Sequence, residues 1–110
     1  MKTEFDFFAP LDPQQLQAYA SNQITPYGPP QDVWALFITI LCYALNEEFN
    51  SFYDWTKKSI RKDKVDRSIA SLYELGYDNA LVKTITDMGN FDASQRLPAQ
   101  RIMENLRMFA

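Results

Sequence analysis

The side chains that most often perform chemistry are sparse in this chain. It has no histidine, so the commonest general base and imidazole metal ligand is missing. Its one cysteine, Cys42, sits in an apolar run without a histidine partner. Such surroundings raise a thiol pKa and quieten the nucleophile. Gly28, Gly76 and Gly89 are the only glycines, and they are too dispersed to form a phosphate-cradling loop. Carboxylates do occur in close pairs, as acid–base work would need: Glu47 with Glu48, Asp63 with Asp66, Glu74 with Asp78. Adjacent acids point to different helix faces, however, and Asp63 and Asp66 are interleaved with Lys62, Lys64 and Arg67, the pattern of a solvated, salt-bridged surface. Asp87, Asn90, Asp92 and Ser94 gather oxygen atoms. A calcium loop begun at Asp87 would nevertheless carry Asp92 where glycine is required and Pro98 where the closing glutamate belongs. The residues therefore predict a non-enzyme with no metal and no cofactor, and a carboxylate-based metal protein or enzyme is the least favoured alternative.

Binding chemistry is better represented. Lys57, Lys58, Arg61, Lys62, Lys64 and Arg67 are six of the eleven bases, packed into residues 57–67. Residues 1–54 hold one base, Lys2, against seven acids, so the chain is dipolar although its net charge is only −3. On a helix Lys57 would neighbour Arg61, and Lys58 would neighbour Lys62. Bases beside Tyr53 and Trp55 suit either an acidic protein partner or a nucleic-acid backbone with stacked bases. A pI near 4.8 favours protein, because dedicated nucleic-acid binders are usually basic overall. Phe5, Phe7 and Phe8, set among acids, either cover the core as an N-terminal arm or dock onto a partner.

The element that must position all of this is the run over residues 33–45, apolar at every position but Thr39. It is too short to span a bilayer, which takes about 20 apolar residues, and too long for an ordinary strand of about 4–8. It is predicted to be a buried central helix, with Pro29 and Pro30 at its start. Asp12-Pro13-Gln14-Gln15 has the capping-box pattern of a short helix through Ala20. Residues 21–30 form a proline-rich loop that includes Tyr27. Phe49, Phe52, Tyr53, Thr56 and Ile60 recur at helical spacing, which predicts an amphipathic helix with Trp55 off its stripe and exposed. Asn46 is expected to cap that helix, or to lie within a longer one. Val65, Ile69, Leu72 and Tyr73 line another helix, capped by Asp63 and stopped by Gly76. Asp78 caps a third, lined by Leu81, Ile85 and Met88, which Gly89 stops by the same left-handed logic. Asp92 caps a turn, and Pro98 opens a last helix carrying Ile102, Leu106 and Phe109, with Met103 and Met108 beside the stripe.

Leu72-Tyr73-Glu74-Leu75-Gly76-Tyr77, the helix after Asp78 and Met103-Glu104-Asn105-Leu106 are together similar to the small three-helix ubiquitin-associated domains, which carry a hydrophobic-Gly-aromatic loop after their first helix. The similarity covers about a third of the chain, and residues 93–98 depart from the pattern as an insertion.

These readings predict one all-α domain over residues 1–110: an irregular bundle of five to six helices around the central one. Sixteen aromatics are more than such a domain easily buries, so several should be exposed as anchors. The expected function is protein–protein interaction, as an adaptor, inhibitor or assembly factor. The small, motif-free chain also fits an accessory protein of a phage or mobile element. The alternative is a nucleic-acid-binding module using the basic belt. Candidate contacts are Phe5, Phe7, Phe8, Trp55 and the six bases. Self-association is a further use for exposed aromatics. The lone thiol and the absence of a leader pattern after Met1 predict a cytoplasmic protein without membrane contact.

Overall fold

A computed structural model describes residues 10–23 and 28–107. Phe5, Phe7, Phe8, Tyr27, Met108 and Phe109 lie outside the described residues. The chain forms a helical bundle. Its helices are α1 (Pro13–Ala20), α2 (Pro29–Leu45), α3 (Lys62–Glu74), α4 (Asn79–Met88) and α5 (Ala99–Leu106). Short 3₁₀ turns occupy Phe49–Phe52 and Ala93–Gln95. No helix among the described residues is long and apolar enough to cross a membrane.

Local chemistry accounts for most helix ends. Asp12 caps α1 by accepting from the Gln15 N–H at 2.7 Å, and the Gln15 side chain returns the bond to the Asp12 N–H at 3.1 Å. Pro29 and Pro30 open α2, where missing N–H donors cost nothing. Asp78 caps α4 through the N–H groups of Ala80 and Leu81. Gly76, at φ +89°, follows α3 in the left-handed conformation that glycine adopts freely.

Four expected features differ. Asn46 does not start a helix; it ends α2 at φ 54°, a left-handed cap that asparagine tolerates. Arg61, not Asp63, occupies the N-cap of α3, and Asp63 lies in its first turn. Gly89 has φ −99°, so its glycine is not needed for a left-handed cap. A Cβ at that position would penetrate the Phe37 ring, and this close approach between α4 and α2 is what requires glycine.

The largest difference is the segment expected to be an amphipathic helix. After one 3₁₀ turn it becomes a hairpin, β1 (Tyr53–Asp54) antiparallel to β2 (Ser59–Ile60), with Tyr53 opposite Ile60 and Asp54 opposite Ser59. The Asp54 carboxylate accepts from the Lys57 N–H at 3.1 Å, and Lys58 takes φ 52°, which closes the four-residue loop. Phe52 and Tyr53 are buried by the hairpin, so a run that reads at helical spacing is satisfied by extended chain.

The core surrounds the inner face of α2. Trp34, Phe37, Ile38 and Leu41 are fully buried, and α3, α4 and both 3₁₀ turns pack on that helix. α5 closes over α4, and α1 lies on β2.

One polar network is buried with this core. Asp12 and Arg96, 84 residues apart, form an ion pair at 2.6 Å. Gln31 donates to the same carboxylate at 3.2 Å. The Arg96 guanidinium also donates to the carbonyls of Asn90 and Pro30 and to the Gln14 side chain, and it lies 5.2 Å from the Trp34 ring centre. Beside it, Trp34 donates to the Tyr53 hydroxyl at 3.2 Å, and that hydroxyl donates to the Leu11 carbonyl at 2.6 Å. Among the described residues no buried side-chain polar atom lacks a partner, the condition under which buried polar groups are tolerated.

Candidate functional site

α2 is apolar around its whole circumference, while α3, α4 and α5 each bring one apolar stripe. The stripes of α3 and α4, with both 3₁₀ turns, cover the inner face of α2, and α5 packs on α4. The outer face keeps Leu36 at 46% exposure and Tyr43 at 92%. Leu36, Thr39, Ile40 and Tyr43 fall one turn apart and share that face. The Thr39 hydroxyl donates to the Ala35 carbonyl at 2.7 Å, so it is satisfied within the helix.

Beside this stripe lies a groove of about 420 Å³. Thr39, Ile40, Tyr43 and Ala44 form its α2 wall. Leu81 and Ile85 line it from α4, together with the buried side chains of Leu72 and Met88. Tyr77 and Leu106 complete it, and among the described residues no charged side chain lines it. Leu75, three residues after Leu72, is 63% exposed, and Met103, one turn before Leu106, is 62% exposed. Single exposed apolar side chains are ordinary; Tyr43 and Tyr77 differ in that they are exposed and also line the recess. The groove lies within the usual size range for binding pockets, roughly 300–1,000 Å³. It offers shape, apolar contact and the hydroxyls of Thr39, Tyr43 and Tyr77.

The basic belt is arranged differently from its sequence reading. Lys57 and Lys58 sit in the hairpin loop, Arg61 precedes α3, and Lys62, Lys64 and Arg67 lie on α3. With no helix through residues 57–61, the expected Lys57–Arg61 and Lys58–Lys62 helical neighbours do not exist. Lys62 pairs with Asp66 at 3.0 Å, Lys64 with Glu47 at 3.1 Å and Arg67 with Asp63 at 3.4 Å. Lys58 lies 5.2 Å from the Tyr19 ring centre, and Arg61 donates to the Tyr53 carbonyl at 3.3 Å. Much of the belt's positive charge is thus met within the molecule. Trp55 is half-buried rather than exposed. It stacks on Tyr53 with ring centres 4.9 Å apart and donates to Asn50 at 3.0 Å.

The remaining chemical candidates are engaged in local structure. Ser94 donates twice to Asp92, which holds that carboxyl below its usual pKa, and Asn90 accepts from the Asp92 N–H. Asp87 pairs with Lys83 at 3.3 Å. No group of three or more His, Cys, Asp or Glu positioned to hold a metal occurs among the described residues. Burial, aided by the nearby Glu47 carboxylate, raises the Cys42 thiol pKa, which keeps the thiol protonated and slow to react.

The groove was not singled out in the sequence. Its signal lies in α2: a helix apolar on nearly all sides needs cover on its outer face as well as its inner one. No family model matches the chain, and no curated protein or solved structure is significantly similar to it.

Proposed function

We propose that the chain is a non-enzymatic protein–protein interaction module that docks partners through the apolar groove and the outer face of α2. The supporting observation is Tyr43, which stands 92% exposed at the rim of an uncharged recess. Tyrosine is enriched among the few residues that dominate interface energies, and it anchors best beside a pocket its partner can fill. A role as adaptor, inhibitor or assembly factor fits a surface built for contact, and the quiet lone thiol fits a cytoplasmic setting.

Retention of partners from cells that encode the chain tests this reading. Three tagged proteins are compared: wild type, Tyr43→Glu, and Lys58→Glu with Lys62→Glu. Protein retained by wild type and by the belt variant, but lost with Tyr43→Glu, is the expected result. Retention that survives Tyr43→Glu and disappears with the belt variant would refute the groove. If the retained material were nucleic acid released by salt, the phosphate-binding alternative would replace this reading.

A further inference from the structure

We infer that a second recess, between α1 and the hairpin, is the seat of this chain's own segment Glu4-Phe5-Asp6-Phe7-Phe8. That recess measures about 350 Å³ and shares no lining residue with the groove beside α2, so the inference does not depend on docking there. Leu16, Ile60 and Phe91 line it with apolar side chains and Lys58 lines it with a charge; among the described residues no acid does. The Lys58 ammonium lies 5.2 Å from the Tyr19 ring centre on α1, and the Lys62 ammonium lies 5.8 Å from the ring centre of Phe91. An apolar recess flanked by ammonium groups fits an anionic segment that carries apolar side chains. Three observations select residues 4–8. The first is charge. Among the described residues Lys57 and Lys58 form no ion pair, unlike Lys62, Lys64 and Arg67. Glu4 and Asp6 are the only acids outside the described residues, since segments 24–27 and 108–110 hold none. The second is pattern. Acids and rings alternate from Glu4 to Phe7, so extended chain would turn Phe5 and Phe7 to one side and both carboxylates to the other. The third is reach. Leu11 is buried with its carbonyl held by the Tyr53 hydroxyl at 2.6 Å, and Pro13 already lines the recess. Phe8 is five residues from Pro13, at most about 18 Å of extended chain, while the eight residues of α1 span about 12 Å. The segment can therefore lie along the recess without moving its anchor. A tether this short gives an effective concentration on the order of millimolar, so the segment outcompetes a free peptide of the same chemistry.

Two-dimensional amide NMR of the full chain, at about 20 µM and about 400 µM, tests the contact, because a tethered segment binds independently of protein concentration. Combining Phe5→Ala, Phe7→Ala and Phe8→Ala is expected to shift the signals of Gln17, Ala20, Ser59 and Ile60. Those of Thr39, Ala44 and Leu81, in or beside the groove, should stay in place and report an intact fold. Glu4→Lys with Asp6→Lys should shift the same recess signals, and adding Lys57→Glu with Lys58→Glu should bring them back towards their wild-type positions. Recess signals that the triple variant leaves unmoved overturn the inference, as do shifts that appear in the groove instead. A wild-type pattern that changes with concentration seats the segment in another copy and overturns the single-chain contact. Charge-reversed variants that do not return overturn the pairing of Glu4 and Asp6 with the hairpin lysines.

Discussion

Gly89 shows how little slack the core has. It looks in sequence like one more helix stop, yet its φ of −99° is open to any residue, and the Phe37 ring fills the space a side chain would need. Phe37 is fully buried and cannot swing away. Gly89→Ala is therefore expected to destabilise the fold by about 1–3 kcal/mol, the usual range for overpacking. A lowered urea midpoint at unchanged slope would show it. Tyr53 makes a second prediction at this scale. Burial pushes its phenol pKa well above the usual value; the nearby Asp12 carboxylate adds to this, and the hydrogen bond from Trp34 opposes it. The folded state thus keeps a proton that the unfolded chain releases near pH 10. The stability gained from this group is complete below about pH 10 and declines as pH rises beyond it. Alkaline titration should show one tyrosine that ionises only together with unfolding, and that step should be absent in Tyr53→Phe.

At the scale of elements, what was legible in the sequence depended on how local the cause was. Asp12, Asp78 and Gly76 act on their own neighbours within a turn, and each does what its residue type suggests. The apolar run at residues 33–45 is compatible by residue type with a buried strand, and its length is what favours helix. The hairpin was hidden because Phe49, Phe52, Tyr53 and Ile60 serve a helical stripe and a folded-back strand pair equally well. The distinguishing marks were Asp54 and the β-forming Tyr53, Trp55 and Thr56, weak signals beside a periodic stripe. Asn46, expected to open a helix or to lie within a longer one, closes α2 instead. Its left-handed φ of 54° gives a direct check. Asn46→Gly should be tolerated, whereas Asn46→Val should cost about 1–2 kcal/mol in denaturant unfolding, since a β-branched residue strains that conformation.

At the scale of the whole molecule, the polar network and the groove depend on parts of the chain that sequence spacing cannot connect. Arg96 reaches Asp12 across 84 positions and binds carbonyls from two other segments, so it fastens the second 3₁₀ turn to the starts of α1 and α2. Arg96→Met leaves the buried Asp12 carboxylate without its counter-charge, held only by Gln15 and Gln31, and should cost about 3–5 kcal/mol, a large share of a small domain's stability. Lys62→Ala, which breaks an exposed pair, should change stability by less than about 1 kcal/mol. Thermal unfolding of the two variants side by side separates them. The candidate contacts named from sequence were charged and aromatic residues in one stretch, and the structure ties much of that stretch into local pairs. The surface it leaves open is assembled from α2, α3, α4 and α5 together. It became visible only once the number of helices covering α2, and the faces they cover, were known.

The most direct measurement of the docking claim is site-specific photo-crosslinking in cells that encode the chain, with the reactive group placed at position 43 and, in a second protein, at position 57 in the hairpin loop. Both positions are exposed, so neither group should disturb the fold. The proposed docking through the groove is expected to give discrete protein adducts from position 43 and little or none from position 57. Adducts concentrated at position 57, with position 43 silent, would contradict it.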